Sequence, residues 1–588
     1  MKPVSDIVGD VAEQNERLAG FFWILTAAIS LLLCFVQLGV MLSLLAGRTF
    51  FPLVFPTAVL ASLLATYGLL RRSGFTRAEQ WQATAILLFL LGVSLALSAF
   101  FFDLSWDGEW YHQAAIIHIV RDWNPLTDPI HKFADDIVGS LRHYAKGPWY
   151  FAAAVWEATG HFEWGKAINW LALAASSFAL FAACLNGGLR RREALGIAVV
   201  AAINPVVMSE LTTYLVDAVM IAFLVVAAAA LFTCLRRPTT PALIAGVAGA
   251  IVSINAKFTG LVYLCFVLAA GALWCLLKRR AWFPKFLAAT AAALTLGVCV
   301  WGYNPYLTNT YYRHQPFYPM LGSAQYPSVE QSNQDGNELY ETPKNMVGRS
   351  LPYRFFYAVF GRPGNQPYTK GQNASLMLPF TAVPADLYAY KYHETRVAGF
   401  GPFFSGCLIL SFLLGVRILV GKEPSRWLLV LLVLTVLASL SLSRHLWWPR
   451  YGPQFWLVAI LPLAFTLRHA RSGRWLLLAR LVLCLLIANA VVVSFVRLRW
   501  ETKASITLRQ QLRQMRDSGQ AYEVQTMYFD DSMKVRLHAA GVKFYDVGMK
   551  PLPNSLELMS VVEEYPAPVR YRVAAPAPLP PTNDGKTK

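Results

Sequence analysis

The sequence predicts an all-α, polytopic membrane protein with loops outside the bilayer and a small C-terminal α/β domain. Its 588 residues are 56% hydrophobic and 15% charged, whereas a globular domain carries about 25% charged residues. Long apolar runs alternate with short clusters of Lys and Arg over most of the chain. Beyond residue 498 the apolar runs stop, and short alternating segments typical of strands appear instead.

The apolar runs predict about thirteen transmembrane helices, since a helix needs about 20 apolar residues to cross the hydrocarbon layer. The predicted spans are residues 20–46, 50–70, 82–102, 165–187, 194–208, 213–235, 241–255, 258–277, 285–302, 399–418, 427–443, 453–467 and 475–496. The first run is too long for the core of a signal peptide and lacks a small-residue cleavage site. It is therefore expected to remain as an anchor.

The net charge of +18 is concentrated between the apolar runs. These basic clusters are Arg71-Arg72 with Arg77, Arg190 to Arg192, Arg236-Arg237, Lys278 to Arg280, Arg417 with Lys422 and Arg426, and Arg468 with Arg471 and Arg474. Short loops rich in Lys and Arg stay in the cytoplasm. If the N-terminus is cytoplasmic and the spans alternate, every basic cluster lies inside and the C-terminus lies outside. This distribution argues against nucleic acid as a partner.

Five regions follow from this topology. They are an N-terminal transmembrane hairpin (1–81), a transmembrane core (82–302) with an external loop (103–164), a large external loop (303–398), a second set of transmembrane helices (399–497) and an external C-terminal domain (498–588). In the last region, residues 521–530 and 542–548 are predicted as strands around a helix at 530–541. The Pro-rich stretch from Pro576 to Pro581 is predicted to be disordered.

Charges at the edges of the apolar runs are the most informative, because a charge buried in the bilayer is costly unless it is paired or functional. The segment that follows the third predicted helix places Asp103, Asp107 and Glu109 among aromatic side chains, with Tyr111 and His112 next to them. Partial desolvation raises the basicity of a carboxylate, so this segment is the candidate catalytic loop. The alternative is a solvated interfacial loop with an aromatic belt.

Four further charges are predicted on the same face. Lys146 precedes Gly-Pro at a helix start, where a cation and free N–H groups together suit an anion, although a snorkelling lysine is the alternative. Asp217, Lys257 and Arg450 interrupt or flank apolar runs in distant parts of the chain. Singly, each is typical of an interfacial anchor or a local ion pair. Together, at one depth, they indicate a site.

The sequence gives little support for a metal-dependent or a nucleotide-dependent reaction. No histidine pair has the spacing of a metal site on a helix, and no Walker, GxGxxG or GxSxG motif is present. The sequence therefore predicts no metal and no cofactor, apart from a divalent cation that Asp107 and Glu109 could help to bind.

These motifs resemble the GT-C superfamily of integral-membrane glycosyltransferases, most closely the branch of protein O-mannosyltransferases and lipid A aminoarabinose transferases. Asp107-Gly-Glu109 is similar to the Asp-Glu pair of that family, and Lys146-Gly-Pro-Trp to its Lys-Pro-Pro-Leu-type motif. Further similar segments are residues 204–210, 214–217, 304–310, 316–319 and 448–453. Two departures are that Asp107 follows the third predicted helix rather than the first, and that Gly108 splits the acidic pair.

The resemblance implies an inverting glycosyltransferase of a bacterial inner membrane. It would move a sugar from a polyprenyl-phosphate donor to a glycolipid, polysaccharide or protein acceptor at the periplasmic face. Asp107 is then the expected base, with Asp103 as second choice and Glu109 orienting the acceptor or the base. The residues expected to hold the carrier phosphate or line the substrate site are Lys146, Lys257, Arg450, Asp217, His112 and Tyr111. The 303–398 loop and the C-terminal domain are expected to cover the cavity.

Three other functions stay open on the sequence. A transporter or flippase of lipid-linked saccharides usually shows paired half-repeats and charges near the midplane, neither of which is evident. An O-antigen-type polymerase or ligase would depend on Arg444, His445 and Arg450 rather than on Asp107. A purely structural assembly protein would need none of these residues.

Overall fold

Helices dominate the computed structural model of the chain, and the part that it describes contains one small sheet near the C-terminus. The structure describes residues 4–48, 51–128, 138–319, 321–328, 342–364, 372–421, 423–441, 445, 447–470, 472–560 and 568–574. This confirms a mostly helical protein with a small C-terminal sheet. The predicted disordered stretch from Pro576 to Pro581 lies outside the described residues.

The chain up to residue 210 folds into helices that we label α1 to α9. Their bounds are α1 Val4–Leu45, α2 Val54–Arg72, α3 Arg77–Phe100, α4 Gln113–Arg121, α5 Val138–His143, α6 Gly147–Thr159, α7 Ala167–Asn186, α8 Arg191–Ala202 and α9 Pro205–Glu210. Helix α3 begins with a capping box, in which Glu79 N donates to the Thr76 hydroxyl (3.3 Å) and Thr76 N donates to the Glu79 carboxylate (2.7 Å). Glu79 also binds Arg17 of α1 (2.7 Å), so this cap joins the first and third helices.

The rest of the bundle consists of helices α10 to α20. Their bounds are α10 Asp217–Arg236, α11 Thr240–Ala256, α12 Phe258–Lys278, α13 Phe283–Thr295, α14 Thr308–Arg313, α15 Leu351–Phe360, α16 Pro384–Leu387, α17 Phe404–Val420, α18 Arg426–Leu440, α19 Trp456–His469 and α20 Arg474–Asp517. At 1.5 Å per residue, the 44 residues of α20 extend about 66 Å, about twice the hydrocarbon thickness. Only part of α20 therefore fits inside a bilayer.

Among the described residues, eight helices are long and apolar enough to cross a membrane: α1, α2, α3, α7, α10, α12, α13 and α20, where α7 and α13 include their flanking turns. Helices α11, α17 and α18 are apolar but shorter. The architecture is that of a multi-pass membrane protein, as the sequence predicted. Each of the thirteen predicted segments contains a helix, but membrane crossing by the remaining five stays a prediction.

Helix α10 forms the centre of the bundle, where it packs against α7 and α11. Its apolar stretch is 83% buried, the highest fraction among the eight candidate spans. Close approach to α11 depends on glycine, since a Cβ at Gly249 would lie 2.9 Å from Val226 Cγ1 and one at Gly246 would lie 2.8 Å from Ala230 Cβ. Small residues of this kind allow the close backbone packing that holds membrane helices together.

The helix connections fall into two groups at opposite ends of the bundle. One group carries the basic clusters, where Arg279 Nη2 donates to Arg236 O (2.7 Å) and Arg191 Nε donates to Asn15 Oδ1 (2.8 Å). The other group carries the described parts of the long connections 103–161 and 301–403. We call these two ends the basic end and the loop end. Which of them faces the cytoplasm stays a prediction.

A four-stranded sheet follows α20 at the loop end. Its elements are β1 Ala521–Gln525, α21 Asp530–Ala539, β2 Lys543–Asp546, β3 Leu556–Glu557 and β4 Arg570–Val573, with strand order β2-β1-β4-β3. Strands β1 and β2 are parallel, as expected for a β-α-β unit, and β4 runs antiparallel to its neighbours. Leu104, from the loop after α3, is fully buried in the core of this domain with Met533 and Leu537. The domain is thus packed on the candidate catalytic loop.

Candidate functional site

One arginine at the loop end is bound by three carboxylates. Arg450 Nη2 donates to Asp107 Oδ2 (2.7 Å), and its Nε donates to Asp217 Oδ2 (2.8 Å). Its Nη1 donates to Glu394. Asp217 also accepts from Lys257 Nζ at Oδ1 (2.6 Å). These five residues, which we call the Arg450 cluster, come from five separate stretches of the chain.

Three members of the cluster, Asp217, Lys257 and Arg450, lie at or between helix ends rather than within helices. Asp217 is the first residue of α10, and Lys257 lies in extended conformation between α11 and α12. Arg450 lies in the short turn Pro449–Tyr451 between α18 and α19. Helix ends mark the boundary of the hydrocarbon layer, where charges cost less than at its centre. The cluster therefore lies at the depth of lipid headgroups if these helices span the membrane.

Gly108 is required by packing at the turn that follows Asp107. A Cβ on this residue would lie 2.1 Å from Asp103 Oδ2 and 2.3 Å from Ser105 Oγ. No other residue fits without moving these groups. The glycine that splits the acidic pair thus belongs to the π-helical turn that directs Asp107 and Glu109 to different partners.

Charge keeps Asp107 ionised despite its partial burial. Burial is the largest single effect and alone would raise the pKa of Asp107, but the charges and hydrogen bonds around it, those of Arg450 first among them, together outweigh burial, and the net pKa lies below the usual value. Nearby, burial and the charge of Asp217 raise the pKa of Glu210 to about 8, so Glu210 keeps its proton at pH 7. The side chain of Asp107 is 20% exposed and that of Asp217 is 1% exposed. Asp107 is therefore the more accessible of the two carboxylates.

Aromatic side chains flank Asp107. Tyr111 Oη donates to Asp107 Oδ2 (3.2 Å). The ring centre of Tyr111 lies 4.4 Å from that of His112, which in turn lies 5.2 Å from that of Tyr144. Tyr111 and His112 are buried. An aromatic wall with a few convergent polar groups is typical of a small-molecule site.

The surroundings of Asp103 indicate a structural role rather than a catalytic one. It is fully buried and accepts hydrogen bonds from Ser105 N (2.9 Å), Ser105 Oγ (2.7 Å), Gln113 Nε2 (3.1 Å) and Tyr214 N (2.8 Å). These bonds join the candidate catalytic loop to the segment before α10. A carboxylate with this many donors and no access to solvent is poorly placed to take a proton from a substrate.

Glu109 faces the C-terminal domain. It binds Arg536 of α21, and Arg536 Nε also donates to Glu163 Oε1 (2.9 Å). Arg536 Nη2 donates further to Asp103 O (2.6 Å). We call Arg536, Glu109 and Glu163 the Arg536 clamp. Burial raises the pKa of Glu109 to about 8, although Arg536 partly offsets this.

The structure separates the two carboxylates of the predicted acidic pair. Asp107 belongs to the Arg450 cluster, whereas Glu109 belongs to the Arg536 clamp. Within the described residues, no group of three His, Cys, Asp or Glu side chains is arranged to hold a metal ion.

Lys146 lies apart from the Arg450 cluster. It is fully buried, and its Nζ donates to Tyr144 O (2.5 Å) and Arg142 O (3.3 Å). The same Nζ lies 5.3 Å from the ring centre of Trp123 and 5.2 Å from that of Trp149. Carbonyls and indole faces thus hold this cation, and it does not reach the surface as a free phosphate ligand.

Of the predicted site residues, six meet around Asp107 and three do not. The six are Asp107, Tyr111, His112, Asp217, Lys257 and Arg450. Sequence reasoning missed Glu394 and Arg536, because each belongs to a segment with no motif that marks it. Glu210 ends the similar segment 204–210, but that resemblance assigned it no role. Of the alternative set for a polymerase or ligase, Arg444 lies outside the described residues.

Comparison of the chain with protein-family models, with curated proteins and with solved structures finds no match. What the chain does must therefore be argued from its own residues.

Proposed function

We propose that this protein is an inverting glycosyltransferase of the GT-C type, which moves a sugar from a polyprenyl-phosphate donor to an acceptor. The observation that carries the proposal is the Arg450 cluster. It combines an ionised, partly accessible carboxylate, Asp107, with two cations at the ends of apolar helices. That is the depth at which the phosphate of a lipid carrier lies. The acceptor is a glycolipid, a polysaccharide or a protein.

The chemistry follows from these groups. Asp107 accepts the proton of the acceptor hydroxyl, whose oxygen attacks the anomeric carbon from the face opposite the phosphate. The bond between the anomeric carbon and the phosphate oxygen breaks, and its electron pair leaves with the polyprenyl phosphate. One displacement of this kind inverts the anomeric carbon. A glycosidase needs two carboxylates on either side of the bond, whereas a phosphate leaving group needs no general acid.

Arg450 and Lys257 stabilise the charge that grows on the departing phosphate. A phosphate also competes with Asp107 for the guanidinium of Arg450, because both are anions and Arg450 already holds three carboxylates. Loss of the contact with Arg450 raises the basicity of Asp107. Donor binding would thus prepare the base for the acceptor.

The proposed location is a bacterial inner membrane, with the basic end in the cytoplasm and the loop end in the periplasm. The basic clusters support this orientation. The C-terminal domain and the 303–398 loop then lie on the periplasmic side, where they are placed to select the acceptor.

The test compares the wild-type protein with Asp107→Asn on a panel of radiolabelled polyprenyl-phosphate sugars. We expect kcat to fall by about 10²- to 10⁴-fold, because the amide cannot accept the proton, while the donor still binds. Asp517→Asn, on an exposed residue at the end of α20, is the matched control. Transfer at the wild-type rate by Asp107→Asn would remove Asp107 from the base role. Lipid translocation without sugar transfer would instead indicate a flippase.

A further inference from the structure

The imidazole of His112 has one nitrogen without a partner. Its Nε2 is buried and has no hydrogen-bond partner within the described part of the chain. The other nitrogen, Nδ1, accepts a hydrogen bond from the indole Nε1 of Trp149 (2.9 Å). Unpaired buried polar atoms are rare in proteins because they are costly, so Nε2 calls for an explanation.

The contact with Trp149 fixes which nitrogen carries the proton. An indole N–H only donates, so Nδ1 must be the acceptor, and the proton of a neutral imidazole is on Nε2. Burial lowers the pKa of His112 to about 3, which keeps the ring neutral at pH 7. Nε2 is therefore a neutral N–H donor. It adds a hydrogen bond to a bound group without adding charge.

The surroundings of the ring hold this donor in place. Trp149 is 1% exposed and lies in the first turn of α6. Its ring stacks on Tyr144 with 5.6 Å between centres, and Lys146 Nζ lies 5.2 Å from its ring centre. Lys146 thus acts on the site through Trp149. It is a positioning residue rather than a phosphate ligand.

The donor lies beside the Arg450 cluster. The neighbouring Tyr111 binds Asp107 (3.2 Å) and packs on the His112 ring at 4.4 Å. The charges of Asp107, Arg450 and Lys257 all act on His112, so the imidazole lies within Coulombic range of each. Asp107 Oδ2 already accepts from both Arg450 and Tyr111.

We propose that His112 Nε2–H donates a hydrogen bond to a phosphate oxygen of the lipid carrier, with Trp149 locking the tautomer that makes this possible. The inference rests on the proposed function for the identity of the ligand. The geometry supplies a neutral donor on a ring that packs against Tyr111, the partner of Asp107 in the Arg450 cluster. A tetrahedral phosphate has enough oxygen atoms to accept from His112, Arg450 and Lys257. A sugar hydroxyl would satisfy Nε2 less strongly, because a bond to an anion is roughly twice as strong as a bond to a neutral group.

The test measures binding of a short-chain polyprenyl phosphate, of the matching polyprenol without phosphate, and of inorganic phosphate to the full-length protein in nanodiscs. His112→Gln keeps an N–H donor near the position of Nε2, whereas His112→Asn does not. Trp149→Phe removes the indole N–H that fixes the tautomer of His112. His161→Gln, on an exposed histidine of the neighbouring loop, is the control.

We expect His112→Asn and Trp149→Phe to weaken binding of the polyprenyl phosphate by about 10- to 100-fold, as for the loss of one bond to a charged group. His112→Gln and His161→Gln should stay within about threefold of the wild type. Binding of the polyprenol should not change in any variant. If His112 had a merely structural role, its replacement would weaken binding of both lipids. Tight binding of inorganic phosphate alone would indicate a soluble ligand and overturn the lipid assignment.

Failure of this inference can be told apart from failure of the proposed function. If the wild type transfers sugar and His112→Asn binds the lipid phosphate equally well, the role of His112 is wrong and the enzyme assignment stands. If the wild type binds the lipid phosphate through His112 but transfers no sugar, the role of His112 stands and the glycosyltransferase assignment is wrong.

Discussion

At the scale of single residues, Arg450 joins three carboxylates from distant parts of the chain. Its planar guanidinium uses Nε, Nη1 and Nη2 on three different carboxylates, in a fixed fork geometry that the point charge of a lysine ammonium lacks. Asp217 is held a second time by Lys257, and Asp107 a second time by Tyr111. Glu394 lies on the connection between α16 and α17 rather than at the end of a long helix. Glu394 is thus a further carboxylate, besides Asp107, that a phosphate would displace from Arg450.

Replacement of Glu394 by Gln tests this competition. The amide is neutral and competes less with an anionic donor for Arg450, so we expect KM for the polyprenyl-phosphate sugar to fall by about 3- to 10-fold, as for an exposed or partly buried ion pair. Initial rates at varied donor concentration give the value. Glu423→Gln, at the basic end, is the control and should leave KM unchanged. A rise of KM in Glu394→Gln would mean that this carboxylate supports the site instead of competing for it.

At the scale of elements, the candidate catalytic loop is held between the bundle and the C-terminal domain. Leu104 enters the core of that domain, and Trp106 contacts Phe529 with 5.1 Å between ring centres. The Arg536 clamp adds charged contacts on the same side. The loop thus presents Asp107 to the bundle and Glu109 to the domain. Docking of the C-terminal domain is therefore coupled to the position of the proposed base.

We expect the protonation of His118 to change the stability with which the C-terminal domain docks. His118 of α4 lies 3.3 Å from Asp531 of α21 and 3.1 Å from Asp122. Burial is the largest single effect and alone would lower the pKa of His118, but the hydrogen bonds and charges of Asp531 and Asp122 together outweigh burial, and the net pKa lies above the usual 6.5. When folding raises the pKa of a group, the protonated group stabilises the folded state. This stability is fully present when the pH is below the pKa of the unfolded chain, and it is lost as the pH rises through the pKa of the folded protein. The gain is about 0.5 kcal/mol, since the ring is partly exposed.

We therefore expect amide hydrogen exchange in α21, corrected for its intrinsic pH dependence, to be slower at pH 6 than at pH 8.5. His118→Gln should remove this difference, because glutamine does not titrate. His538→Gln changes an exposed histidine of α21 itself and should retain the difference. Equal protection at the two pH values in the wild type would show that the contact between His118 and Asp531 does not contribute to docking.

At the scale of the whole molecule, the helices could be predicted from sequence because lipid demands long apolar runs. Site residues at helix ends, such as Asp217 and Lys257, were visible for the same reason, since each is an isolated charge beside an apolar run. Arg536 could not be predicted, because it meets Glu109 across 427 positions of sequence and lies in a domain where arginine is ordinary. Glu394 lies in a polar loop, where no pattern distinguishes it from its neighbours.

The separation of its two ends predicts the orientation of the molecule. Arg191, Arg236 and Arg279 lie at the basic end, and the Arg450 cluster lies at the loop end. Since basic loops are retained in the cytoplasm, the loop end should face the other side. A lipid-linked donor would then have to reach the outer leaflet before Asp107 could act on it.

Cysteine labelling decides this orientation. Lys550→Cys places a thiol on the exposed surface of the C-terminal domain, and Ser472→Cys places one on the exposed basic end. In intact spheroplasts, a membrane-impermeant maleimide should label the thiol at position 550, whereas the thiol at position 472 should react only after lysis. The wild-type chain gives the background, since its eight cysteines are free thiols that lie within the apolar runs. Labelling at position 472 alone would place the Arg450 cluster on the cytosolic side and rule out transfer at the outer face.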